Sequence, residues 1–172
     1  VAITTAFGCA GCGAHRDGTT RCFRRLSQGD RSTTTVQGLQ GAVFLASDIE
    51  VGCAIDGERA LVCWGVDWFA GDGGGFAWRE LQGRRLLGGT RVEHVAVGPS
   101  HACAVAASGE IFCWGHNDWG QLGDGGTTDS AAPVRVVGIE DASRVAVAGA
   151  MTCAVRGGGA VSCWGMRPRF RD

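Results

Sequence analysis

Apolar residues come along this chain in short bursts, and the bursts come in couples separated by a polar, Gly-bearing step. Three couples lie over one another: VGCAIDGERALVCWG (51–65), HACAVAASGEIFCWG (101–115) and MTCAVRGGGAVSCWG (151–165). A fourth, AGCGAHRDGTTRCFR (10–24), keeps the outline, with Phe23 where the others have Trp. The polar centres Asp56-Gly57, Ser108-Gly109 and Gly157-Gly158-Gly159 suit a short turn that needs positive φ, so each couple is predicted to be a β-hairpin. The last three couples recur every 50 residues. Repetition at that period points to a propeller or a solenoid, not to a single globular core.

Folding each couple about its centre sets a register. Cys12 then faces Cys22, Cys53 faces Cys63, Cys103 faces Cys113 and Cys153 faces Cys163. The same register pairs Ile55 with Leu61, Val105 with Ile111 and Val155 with Val161, which chance would rarely repeat three times. Directly opposed residues sit about 4.5–5.5 Å apart at Cα, within the range a disulfide accepts. Structural zinc sites prefer about two to four residues between partner cysteines, and these pairs are ten positions apart. Four cross-strand disulfides are expected, and no metal. Cys9-Ala10-Gly11-Cys12 has redox or zinc-knuckle spacing, but no second such pair and no βαβ pattern accompany it. Cys9 is read as an unpaired thiol beside a disulfide, with an intermolecular bond as the alternative.

Trp64, Trp114 and Trp164 follow the second Cys of their couples, so a period of two puts them on the other face of the hairpin. Opposite them stand Gly52, Ala102 and Thr152, small enough to leave room for an indole. A strand pair apolar on both faces must be covered on both, and sheets stacked face to face around an axis achieve that. The first hairpin offers only Ala14 opposite Thr20 and is expected to be the weakest.

Composition narrows the function classes. Hydrophobic residues make up 45% of the 172 and charged residues 19%, which supplies a core and argues against disorder. Sixteen basic against seventeen acidic residues leave a net charge of -1, no footprint for nucleic acid or an anionic membrane. No apolar run approaches the ~18–20 residues of a transmembrane helix. Every basic residue is Arg, and Tyr is absent as well. Without Lys there is no Walker-type phosphate loop, Schiff-base lysine or Ser-Lys dyad. Lys, Tyr and Asn (Asn117 alone here) draw on A/T-rich codons, so the skew indicates a GC-rich, bacterial genome.

Residues Trp114-Gly115-His116-Asn117-Asp118-Trp119-Gly120-Gln121-Leu122-Gly123-Asp124-Gly125 resemble the repeat of the regulator of chromosome condensation family, Trp-Gly-x-Asn-x-x-Gly-Gln-Leu-Gly-x-Gly. Pro133-Val134-Arg135-Val136 and Val145-Ala146-Val147-Ala148 fit the strands that follow in such a repeat. The resemblance runs over residues 1–172 as three to four repeats. It is shortened from Trp64-Gly65-Val66-Asp67 to Gly71-Asp72-Gly73, stops after Trp164-Gly165, and is almost lost between Cys22 and Gly38. The paired cysteines resemble a bacterial subgroup of these repeats. The resemblance implies an all-β propeller of seven four-stranded blades, of which this chain would supply a partial one, about three to four blades. Its start at Val1, inside what reads as a pre-hairpin strand, fits a piece of a larger propeller; a closed four-bladed ring is the alternative.

No catalytic residue and no cofactor is expected. His116 and Asp118 could pair as acid and base in one loop, yet no nucleophile elbow, His-Glu-x-x-His or Ser/His/Asp grouping stands beside them. His15, His94 and His101 are read as structural or exposed. The loops Gly71-Asp72-Gly73-Gly74-Gly75 and Gly123-Asp124-Gly125-Gly126 lack the alternating ligands of a calcium loop, and Arg167 to Arg171 read as a solvated tail. His116, Asp118 and Trp119 are the candidate ligand-face loop. The expected function is a non-catalytic module that binds a protein or envelope ligand, unidentified. The remaining blades of a larger propeller, or a second copy, are further partners; nucleic acid and a membrane span are not. Disulfides place it outside the cytoplasm (secreted, periplasmic or at the cell surface), with the cytoplasm as the alternative. Guanine-nucleotide exchange on a small GTPase is the alternative that family resemblance alone implies, and no insertion is long enough to act as a wedge in a nucleotide site.

Overall fold

A computed structural model describes residues 3–5, 10–25, 31–48, 51–65 and 81–166. The expectations for Cys9, for residues 66–75 and for Arg167 to Arg171 lie outside that range. Four sheets follow one another along the chain. The first holds β1 (Ile3–Thr5), β2 (Ala10–Ala14), β3 (Thr19–Arg25) and β4 (Arg31–Gln40). The second opens with β5 (Phe44–Ser47), β6 (Val51–Ile55) and β7 (Leu61–Gly65). Next, β8 (Leu81–Gln82) joins the first sheet beside β4, and β9 (Arg84–Leu86) completes the second beside β7. The third sheet is β10 (Val92–Val97), β11 (His101–Ala106), β12 (Ile111–Gly115) and β13 (Ser130–Arg135). The fourth is β14 (Ala142–Ala148), β15 (Met151–Arg156) and β16 (Val161–Gly165).

The hairpins adopt the register that the sequence predicts. Cys12 faces Cys22, Cys53 faces Cys63, Cys103 faces Cys113 and Cys153 faces Cys163. Each pair is joined by a disulfide, with Cα atoms 4.0–4.1 Å apart. Ile55 meets Leu61, Val105 meets Ile111 and Val155 meets Val161; Trp64, Trp114 and Trp164 stand across from Gly52, Ala102 and Thr152.

Two details depart from expectation. Positive φ in the second hairpin falls on Arg59 (69°), not on Gly57, whereas Gly109, Gly158 and Gly159 behave as predicted. The cause is Asp56, whose carboxylate accepts the N–H groups of Glu58 and Ala60 at 2.9 Å each and so shapes the turn from its first residue. The first sheet is also not a plain four-stranded antiparallel blade, because β8 pairs with β4 in parallel, Val36 to Leu81 and Gln37 to Gln82. Gly83 makes that passage between two blades feasible. Its N–H donates to Gln37 O at 2.8 Å, and a Cβ there would lie 2.7 Å from Val62 Cγ1.

The core lies between sheets. The Cys12–Cys22 face of the first packs on Trp64, Ala54 and Val62 of the second. The face with Cys53, Cys63, Ile55 and Leu61 packs on Trp114, Ala102 and Ala104 of the third, and that with Cys103, Cys113, Val105 and Ile111 on Ala154 and Trp164 of the fourth. Every internal interface thus sets the disulfide face of one blade against the aromatic face of the next. Among the described residues each sheet packs on the next one along the chain, as in a partial propeller.

Candidate functional site

The loop of residues 116–129, between β12 and β13, is built around Asn117. That side chain is fully buried, and its Oδ1 accepts the Leu122 N–H at 2.9 Å. Its Nδ2 donates toward Asp124 Oδ1 (3.2 Å), Gly126 O (3.2 Å) and Thr128 O (3.1 Å). One carboxamide therefore reaches four other positions of the loop, while Leu122 plugs into the core between the third and fourth sheets. The backbone must turn sharply to wrap it, and Gly120 and Gly123 do so with φ of 70° and 69°.

Gln121 couples the loop to the next blade. Its carbonyl accepts from Thr152 Oγ1 and from Trp164 Nε1, both at 2.9 Å. Its side-chain Oε1 accepts the Trp119 N–H at 2.9 Å. Gly123 leaves space for the same indole, since a Cβ would come within 2.7 Å of Trp164 Nε1. The equivalent donor one blade earlier, Trp114 Nε1, is buried and has no acceptor among the described residues.

On top of this frame sit His116, Asp118 and Trp119. His116 pairs with Asp129: Nδ1 lies 2.9 Å from Asp129 Oδ2, while Asp129 Oδ1 accepts the Asn117 N–H at 2.7 Å. Ligand atoms of His116, Asp118 and Asp129 lie within 4.8 Å of one another, a donor set of one imidazole and two carboxylates that suits a divalent cation. Trp119 is 57% exposed although its backbone is held. The frame residues Trp114, Gly115, Asn117, Gly120, Gln121, Leu122, Gly123, Trp164 and Gly165 come together here, whereas Trp64 and Gly65 occupy the matching place in the second blade.

Sequence reasoning missed Asp129; His101, read as structural or exposed, is buried, and Asp124, read only within a Gly-rich turn, bonds Asn117. His101 Nε2 lies 2.6 Å from Thr152 Oγ1 of the next blade, and its Nδ1 lies 3.2 Å from Ser100 Oγ. The signal was present for His101, two residues before Cys103 and so on the disulfide face that meets the next blade. Asp129 carried none, standing twelve residues beyond the amide it binds.

A profile described as the regulator of chromosome condensation (RCC1) repeat matches residues 108–155, and a second profile of the same description matches 92–121. Residues 92–155 carry RCC1 repeat sequence. No curated protein sequence matches it. Among solved structures, human WBSCR16 superposes with a TM-score of 0.75 at 17% identity, over 96% of this chain and 47% of that one. Yeast RCC1 (Prp20), solved bound to Kap60, gives a TM-score of 0.76 at 17% identity, over 96% and 43%. Prp20p from Saccharomyces cerevisiae, described with its binding to Gsp1p and histones, gives 0.73 at 17%, over 95% and 44%. These likenesses show the fold, and the chain spans less than half the length of each of these three neighbours.

Proposed function

We propose that this chain is a non-catalytic protein-binding module that presents residues 116–129 to a protein or envelope ligand outside the cytoplasm. The single observation that carries the reading is Trp119, an exposed indole on a backbone fixed by Gln121 and Asn117. Trp is enriched among the residues that dominate interface energies, and a pre-fixed backbone lowers the ordering cost of using it. His116, Asp118 and Asp129 supply the polar rim around it. The neighbours support a protein ligand to the extent that yeast RCC1 was solved with one. The four disulfides support an oxidising, extracytoplasmic setting, and a bacterial source fits the Lys-free composition.

The test is capture from an envelope extract by immobilised full chain, side by side with Trp119→Ala. The reading expects a protein retained by the first and weakened at least about 30-fold in the second, the loss of a hot-spot side chain. A partner held equally by both moves the binding face elsewhere. A turnover that depends on His116 or Asp118 contradicts the non-catalytic reading.

A further inference from the structure

The loop of residues 116–129 carries more negative charge than its frame uses. It holds Asp118, Asp124 and Asp129 and no Arg, so His116 is its one side chain able to carry positive charge. Asp124 belongs to the frame, since its Oδ1 accepts from Asn117 Nδ2 and from the Gly126 N–H. Asp129 is oriented by the frame: the Asn117 N–H holds its Oδ1 at 2.7 Å, and its Oδ2 lies 2.9 Å from His116 Nδ1. Asp118 brings a third ligand atom, and the three lie within 4.8 Å of one another. Exposed carboxylates alone would point to no ligand. An imidazole among them, and a carboxylate fixed from behind, do, because metal sites keep their ligands aimed through outer partners of this kind. The fold does not ask for these side chains. At the places of His116 and Asp118 the second repeat has Val66 and Trp68 and the fourth has Met166 and Pro168, while all three keep the Trp-Gly before them.

We propose that His116, Asp118 and Asp129 bind a divalent transition-metal cation, Zn²⁺ foremost. One imidazole with two carboxylates is a donor set for Zn²⁺ and its first-row neighbours, whereas Ca²⁺ and Mg²⁺ take oxygen ligands. Bonds of about 2.1 Å put ligands at right angles about 3.0 Å apart and opposite ones about 4.2 Å apart. The 2.9 Å between His116 Nδ1 and Asp129 Oδ2 thus already matches one edge of a coordination shell, and under about 1 Å of side-chain movement brings in the third ligand. Asp118 and Asp129 are exposed and His116 is half-buried, so an ion enters from solvent and keeps a position for water. The two carboxylates balance its charge. The sequence predicts no metal here, since no motif ties Asp129 to His116. The site does not depend on a protein ligand at Trp119: ion binding and capture are separate measurements, and either can fail without the other.

The experiment is isothermal calorimetry of the untagged full chain, stripped of metal with EDTA and dialysed, against Zn²⁺ alone. One ion per chain is expected, with Ca²⁺ and Mg²⁺ at least about 10-fold weaker. His116→Gln, Asp118→Asn and Asp129→Asn should each lower the affinity at least about 10-fold, since even the outer-shell partners of a bound metal are worth about 10–100-fold. Asp129→Asn keeps an oxygen for the Asn117 N–H, Asp118→Asn changes an exposed side chain, and unchanged circular dichroism confirms that each variant folds. Co²⁺ in place of Zn²⁺ should give the weak visible bands of nitrogen and oxygen ligands with no near-ultraviolet thiolate band, which separates this site from Cys9. No binding up to about 1 mM Zn²⁺ overturns the proposal. So does an affinity that the three variants leave unchanged, a thiolate band, or a preference for Ca²⁺ over Zn²⁺.

Discussion

Buried between the third and fourth blades, His101 has its pKa pushed down to about 4 from 6.5 by desolvation. The unfolded chain takes up a proton between about pH 6.5 and 4 that the folded chain refuses. Stability is therefore full above pH 6.5 and falls as pH drops through that window, by at most about 3 kcal/mol from this residue. The gap in Tm between wild type and His101→Gln should narrow or reverse between pH 7 and pH 4, and a constant gap contradicts the assignment. Thr20 is a second residue with a definite cost. It is fully buried in the first hairpin, facing the second blade, and its Oγ1 has no hydrogen-bond partner among the described residues. Thr20→Val keeps the shape and removes the desolvated hydroxyl, so the denaturant midpoint should rise by the equivalent of about 1–2 kcal/mol. Residue pairings were legible only where period two and a repeat spoke together. The Cys, aliphatic and Trp pairs qualified; His116 with Asp129 did not, because a long loop carries no periodicity to place its side chains.

At the scale of the element, the β12–β13 loop is a closed hydrogen-bonded unit, and its centre is one side chain. Asn117→Ala strands the buried Leu122 N–H and removes the bonds to the carbonyls of Gly126 and Thr128. It should cost about 2–3 kcal/mol, and Trp119 fluorescence should shift as its backbone loosens; an unchanged midpoint would show that the loop holds without it. The hairpins are the other unit. Each disulfide closes a loop of ten residues, worth about 2.5–3 kcal/mol in the chain-entropy account. Under conditions where the chain is dilute, Cys153–Cys163 should reduce first and Cys103–Cys113 last, since Cys163 is exposed and both cysteines of the third blade are buried. Hairpin register was written in the sequence three times over. The parallel ladder of β4 with β8 was not: two residues make it, and what permits it is the closeness of Gly83 to Val62, a tertiary fact. The turn at Arg59 escaped because Asp56 overrides the glycine beside it through its own hydrogen bonds.

For the whole molecule, one rule accounts for the stacking: a disulfide face receives the aromatic face of the following blade. It explains why both faces of each interior hairpin are apolar and why Gly52, Ala102 and Thr152 are small. The rule puts the two cysteines of each hairpin side by side on one face, so the eight should be joined within their own hairpins. Peptide mapping without reduction, on protein taken from its native compartment with thiols blocked at lysis, tests this most directly. The account predicts four linked pairs, Cys12 with Cys22, Cys53 with Cys63, Cys103 with Cys113 and Cys153 with Cys163. Free thiols at all eight positions would contradict the pairing and the extracytoplasmic setting, and bonds that run from one hairpin to another would contradict the stacking.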